Sequence, residues 1–181
     1  DLMWRFDMRR LSAEEIRDSI LNLTGQLNLK MGGPSIYTEV PKDVLATASR
    51  PGAAWGSSPA EERNRRSVYV YVKRSLHEPF LSAFDWADTD NTCDVRFVTT
   101  VPTQTLTLLN SKFLNDSAES LAKRLAKAAP GDARAQVNTA LSSATSREPT
   151  ADEVDDGLEL IHSLKAETKL DDREALQRFC L

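Results

Sequence analysis

Histidine and cysteine are each present only twice in the 181 residues, as His77 and His162 and as Cys93 and Cys180. Neither histidine has a second ligand at metal-binding spacing, and Glu78, next to His77, would leave a helix on a different face. Two cysteines are too few for a disulfide scaffold. They form no C-x-x-C, which removes thioredoxin-like and zinc-ribbon readings, and no C-x-x-C-H, so this piece does not itself attach a c-type haem. A G-x-S-x-G nucleophile elbow is missing. Gly32-Gly33 has neither the G-x-x-x-x-G-K-[ST] spacing nor the preceding strand of a phosphate loop. No apolar run approaches the roughly 20 residues that span a bilayer. Basic residues are not in excess: 23 Lys and Arg stand against 27 Asp and Glu, a net charge of −4, which argues against nucleic-acid binding. There is no internal repeat. No catalytic constellation stands out, so the sequence assigns no reaction.

The ends carry no signals either. Asp1 opens the chain without a signal peptide, and Arg178-Phe179-Cys180-Leu181 stops inside an apolar helical pattern. The chain reads as an excised piece, so the missing targeting signal carries no weight.

What is present suits one globular domain spanning 1–181, with 40% hydrophobic and 28% charged residues. It falls into a first helix with long loops (1–59), a central motif region (60–101) and a helical C-terminal part (102–181). Ser12 and Glu15 form a capping box that starts a helix carrying Ile16, Ile20 and Leu23, and Gly25 supplies a left-handed stop. Arg9, Arg10 and Arg17 are expected on solvated faces or in local ion pairs. Residues 25–59 are punctuated by Gly32-Gly33-Pro34, Pro41, Pro51-Gly52 and Pro59, with a short helical turn around Lys42–Thr47. Tyr37 and Trp55 in this stretch are expected to pack the loop onto the body, with stacking on a sugar or partner as the other use of such rings.

Ser58-Pro59-Ala60-Glu61 resembles a second capping box and points to a helix through Arg66. Val68-Tyr69-Val70-Tyr71-Val72 fits a continuation of that helix. Its alternation and β-branching leave a strand as the alternative, for which Arg96–Val101 is the candidate partner. Pro79 closes that element. Downstream, Pro102 opens a helix with Leu106, Leu108 and Leu109, and Asn115 or Asp116 opens the next. Asp132, the Thr150-x-x-Glu153 box and Asp171-x-x-Glu174 start three more. The expected fold is mainly α: an irregular helical bundle with a long Pro/Gly-rich loop region and, in the alternative reading, one small two-stranded element.

Two stretches are candidates for binding. The basic cluster Arg63, Arg65, Arg66, Lys73 and Arg74 offers guanidinium forks that suit sulfate or carboxylate. Arg65 and Arg66, being adjacent, leave the backbone on different faces, so one is expected buried against carboxylates and the other exposed. On a helix Arg66 reaches Glu62. The acidic loop Asp85–Asp94 resembles the start of a calcium loop from Asp88. It departs from that pattern at the sixth position, Cys93, and the twelfth, Thr99, and turn or capping roles suit its carboxylates better. Asp85, Asp88 and Trp55 complete the set.

Several motifs resemble one family: Arg9-Arg10-Leu11-Ser12-Ala13-Glu14 with Ile16-Arg17-Asp18, Met31-Gly32-Gly33-Pro34-Ser35, Arg65-Arg66-Ser67-Val68-Tyr69-Val70, Val72-Lys73-Arg74, Phe84-Asp85, and Thr99-Thr100-Val101-Pro102-Thr103-Gln104 with Leu108-Leu109-Asn110. Together they resemble the C-terminal domain of unknown function of large planctomycete-type surface or periplasmic proteins. The resemblance implies export to the periplasm or cell surface. It also implies upstream domains of the same polypeptide, among them a c-type cytochrome-like module that carries the haem and sometimes a lectin-like module. The setting it implies is the breakdown of complex, often sulfated, polysaccharides. Export would let a Cys93–Cys180 disulfide persist. The residues themselves favour two isolated thiols: Cys180 sits beside Phe179 as a small core residue, and carboxylates near Cys93 disfavour its thiolate. Three functions compete: a non-catalytic module of an exported multidomain protein, a domain that binds or cleaves acidic glycans, and a docking domain for a c-type haem protein.

Overall fold

The computed structural model describes residues 9–46, 55–89, 92 and 94–181. Cys93, Asp90, Asn91 and Pro51-Gly52 lie outside them. The structure is mainly α-helical, and the chain forms two compact units: Asp1–Ser19 with Asn28–Thr107, and Ile20–Leu27 with Leu108–Leu181.

The second unit holds helices α6 (Lys112–Ala128), α7 (Ala133–Thr145), α8 (Ala151–Thr168) and α9 (Asp172–Phe179), each started by a side-chain cap. Asp132 caps α7. Reciprocal capping boxes start α8 at Thr150/Glu153 and α9 at Asp171/Glu174, as the spacing predicts. For α6 the expected start is late: Ser111, not Asn115 or Asp116, is the cap, its hydroxyl accepting from the Leu114 amide at 3.2 Å. The helices pack as a closed ring, α6 on α7, α7 on α8, α8 on α9 and α9 on α6. They bury Leu121, Leu125, Val137, Val154, Ile161, Ala175 and Leu176, with Leu23, Phe179 and Cys180 against them. At Gly157 the packing leaves no room for a side chain. A Cβ there would stand 2.7 Å from Val137 Cγ1 and 3.1 Å from Phe179 Cε2. Burial pushes the Cys180 thiol up to about 12, so it stays protonated.

The first unit is loop-rich. It includes the first part of α1 (Ala13–Leu23), the short helices α2 (Lys42–Ala46), α3 (Ala60–Arg63) and α4 (Pro79–Ala83), and the start of α5 (Pro102–Asn110). The α1 capping box is present: the Ser12 amide donates to Glu15 Oε2 at 2.8 Å, and the Glu15 amide to Ser12 Oγ at 3.4 Å. Its apolar core comprises Ala13, Ile36, Val40, Val70, Leu76, Phe80, Leu81 and Phe84.

Here several local expectations fail. The helix begun at Ala60 ends at Arg63 and does not run through Arg66. Ser58 makes no cap, because its hydroxyl accepts from the Tyr37 amide at 3.0 Å. Val68–Val72 does not continue a helix. A single 3-10 turn over Ser67–Tyr69 gives way to extended backbone at Val70. Val70 forms an isolated parallel bridge, and its partner is Ile36, not the Arg96–Val101 stretch. A second bridge joins Asn28 to Arg65. Pro79 opens α4 instead of closing an element. Glu78 caps that helix, its Oε2 accepting from the Leu81 amide at 2.6 Å.

Candidate functional site

Two polar clusters in the loop-rich unit gather most of the motif residues. The first is centred on Arg65, which is 0% exposed. Its Nε donates to the Lys30 carbonyl at 3.2 Å, Nη1 to the Pro34 carbonyl and to Glu62 Oε2 at 3.3 Å each, and Nη2 to the Gly32 carbonyl. The guanidinium carbon lies 3.9 Å from the centre of the Tyr69 ring. Tyr69 in turn holds the loop, its hydroxyl accepting from the Gly32 amide at 2.8 Å. Positive φ at Gly32 (74°) and Gly33 (84°) turns the loop around the arginine. Met31-Gly32-Gly33-Pro34 and Arg65 are thus one device: a glycine turn wound on a buried cation.

Arg17 completes this cluster: of the two expected fates the solvated face fails, and the local ion pair is present, Nη1 standing 3.9 Å from Asp18 Oδ1. Arg17 is 4% exposed, and donates through Nη2 to the Arg63 carbonyl at 2.6 Å and through Nη1 to the Arg65 carbonyl and Ser67 Oγ at 3.1 Å each. Burial lowers its pKa, opposed by Glu78 and Asp18. Asp18 Oδ1 accepts from the amide and hydroxyl of Ser67 at 2.7 Å each. Glu78 is buried too, and that burial raises its carboxyl above the usual range despite its bonds to the α4 amides and the nearby Arg17.

The second cluster joins Arg10, Asp85, Thr99 and the buried Gln104. Asp85 Oδ2 accepts from the Thr99 amide at 2.9 Å and Oδ1 from its hydroxyl at 2.7 Å, while Arg10 Nη1 stands 3.5 Å from Oδ2. Gln104 Oε1 accepts from Arg10 Nη2 at 2.9 Å, and its Nε2 donates to Thr99 Oγ1 at 3.3 Å. Partial burial pushes Asp85 up, and the two Thr99 bonds, Arg10 and Gln104 together hold it below the usual carboxylate range. Asp85 adopts φ 63°, the left-handed conformation that aspartate tolerates in turns.

The other candidates are dispersed. Arg66 is exposed, with Nε 3.9 Å from Asp18 Oδ2, so the adjacent pair splits as expected, although Glu62 pairs with Arg65 and not with Arg66. Arg63 reaches Glu39 at 3.3 Å. Arg74 lines an open depression of about 550 Å³ with His77, Leu76 and Thr103. Lys73 is half-buried and lines none of the described depressions. Trp55 packs edge-on to Tyr37 and Tyr71, at ring-centre distances of 5.7 and 6.0 Å, and its indole N–H donates to the Thr38 carbonyl at 2.9 Å. It fastens a loop, as expected. Asp85 and Asp88 do share a depression, of about 620 Å³, with Trp86, Asp94, Arg96 and Phe97. No arginine of the 63–74 stretch lines it. Among the described residues no group of three His, Cys, Asp or Glu is placed to hold a metal ion.

Arg17 and Gln104 stand in the sequence motifs but not among the sequence's binding candidates. A signal for Arg17 existed: it stands four residues after Ala13 and four before Leu21, both buried, on one face of α1. The family described as PSD1, protein of unknown function (DUF1553), matches residues 1–161. No curated protein and no solved structure matches the chain.

Proposed function

We propose that this chain, which belongs to the PSD1 family of proteins of unknown function (DUF1553), is a non-catalytic helical module of a larger exported polypeptide. The observation that supports this reading is the internal engagement of its motif side chains. Arg65 and Arg17 donate to backbone carbonyls, and Asp85 is engaged by Thr99, Arg10 and Gln104. Such groups fix loops; they are not aimed at a substrate. Glycoside hydrolysis needs two carboxylates flanking a bound sugar, one of them poised as an acid. Asp85, held below the usual range by its partners, does not suit the acid's role. The setting we propose is a polypeptide at the periplasm or cell surface, whose other modules include a c-type cytochrome-like domain and whose task concerns complex polysaccharides. In that setting the module holds catalytic or redox partners together.

The test is an assay of the purified chain on carrageenan and fucoidan, reading the release of reducing ends. The expected result is no release above buffer, with Asp85→Asn lowering the melting temperature. Release that Asp85→Asn abolishes at an unchanged melting temperature overturns the proposal.

A further inference from the structure

The helical unit carries a depression of about 270 Å³ whose lining includes Leu141 from α7, Gly157 and Leu160 from α8 and Phe179 from α9. Leu160 is 48% exposed, and among the described residues it is the only large apolar side chain of α6–α9 left exposed. Every other such side chain of these helices is at least half covered by the ring of packing. The volume falls below the range usual for small-molecule sites, and it suits a single branched side chain set between Leu141, Leu160 and Phe179. A site of that size and lining receives an apolar anchor from a larger body.

The charge beside the depression says what that body carries. The first half of α8 holds Asp152, Glu153, Asp155, Asp156 and Glu159. Arg147 engages Glu153, and Arg134 engages Asp155. Asp152, Asp156 and Glu159 are exposed, and among the described residues no cation pairs with them. They stand four and three residues apart, so they share one face of the helix, and Asp156 also lines the depression. An anionic lipid surface or a sulfated chain is repelled by such a face. A second copy of the same face would set carboxylates against carboxylates. A segment bearing lysine or arginine is attracted. Its conformation follows from the backbone on offer. Helices α7 and α8 bond their own amides and carbonyls, so an incoming strand finds no main-chain partners there. A helix brings its own bonds and needs only side-chain contact.

We propose that the α7–α8 face is a docking groove for an amphipathic helix of a partner polypeptide, whose apolar side chain enters the depression beside Leu160 and whose lysines or arginines meet Asp152, Asp156 and Glu159. The stems of those basic side chains cover apolar area while their charged ends reach the carboxylates. The proposal rests on the module reading and supplies it with a point of attachment.

Fluorescence anisotropy tests it with the whole chain and three labelled peptides: an amphipathic helix with a leucine row flanked by lysines, the same helix with glutamate for lysine, and a scrambled peptide of the first one's composition. The lysine helix is expected to bind saturably, and the other two at least about tenfold more weakly, a difference of about 1.4 kcal/mol. Asp156→Asn combined with Glu159→Gln weakens the lysine helix by a similar factor at an unchanged melting temperature. Asp156→Lys combined with Glu159→Lys reverses the preference toward the glutamate helix. Leu160→Ser weakens the lysine helix, and Arg66→Ala in the other unit leaves it unchanged. Equal binding of the lysine helix and its scrambled form, equal binding of the lysine and glutamate helices, or no binding of any peptide overturns the proposal. So does sedimentation of the chain alone as a dimer that Leu160→Ser dissolves, which assigns the face to a second copy. A chain that neither cleaves polysaccharide nor binds the peptide loses this inference and keeps the module reading.

Discussion

In the helical unit the side chains that join elements are Leu121, Leu125, Val137, Ile161 and Leu176. In the loop-rich unit an apolar core exists, but the loops are joined by Arg17, Arg65, Asp85 and Gln104. The difference follows from what each sequence leaves unsatisfied. Helices bond their own amides and carbonyls, so apolar side chains suffice to assemble them. Loops such as Lys30–Pro34 turn carbonyls onto Arg65, and carbonyls drawn away from water need donors. An arginine with five N–H groups satisfies several carbonyls from one position. Apolar packing tolerates swaps of similar volume, whereas a guanidinium gripping three carbonyls has no isostere. The two units should therefore fail differently.

The largest effect is expected at Arg65. Arg65→Met orphans the carbonyls of Lys30, Gly32 and Pro34 and should cost about 3 kcal/mol, the upper end for acceptors left unpaired. Hydrogen exchange should rise across 28–36 and 65–71 while α6–α9 keep their protection. Arg65→Lys should recover only part of the loss. Equal loss of protection in both units would erase the contrast. In the helical unit the matching test is Gly157→Val, which forces side chain against Val137 and Phe179 and should cost about 1–3 kcal/mol by overpacking. Its exchange signature should sit on α7, α8 and α9. Thr150→Ala removes the α8 cap and should cost about 1 kcal/mol, read as a lower denaturation midpoint with an unchanged slope.

Two pH effects sharpen the contrast further. Glu78 has a raised folded pKa, so the folded state binds its proton more tightly than the unfolded chain does. Stability should then fall as pH rises from the ordinary value of about 4.3 through the raised value. Glu78→Gln should flatten that slope. The smallest effect belongs to exposed carboxylates. Glu15 is held down to about 2 by hydrogen bonds from Arg9 and from Ser12, and Glu153 to about 2 by those from Arg147 and from Thr150. Each stabilises the folded state above about pH 4.3, and that contribution fades as pH falls toward 2. Carboxyl titration by NMR should show both shifts, reduced by salt.

Features governed by near neighbours in sequence were legible in it. The capping boxes at Ser12, Thr150 and Asp171 were, because cap and partner stand three residues apart. The opposite fates of Arg65 and Arg66 followed from adjacency alone. What depended on distant residues was not legible. Ser58 looks like a cap until Tyr37 takes its hydroxyl, and Val70 looks helical until Ile36 pairs with it. Of the site, the motif residues were recognised but their purpose was not: the basic cluster reads as a ligand surface, and folding places Arg65 inside and leaves Arg66 outside.

The division of α1 has a consequence for inheritance. Its residues through Ser19 belong to the loop-rich unit, and those from Ile20 belong to the helical one. Neither unit is a continuous stretch of gene. A single crossover, or a stop codon at any point, cannot deliver one unit whole without a remnant of the other. Leu23, wedged against the core of α6–α9, would be stranded on the wrong side of a cut at 107. Recombination should therefore move the two units together, as one indivisible cassette.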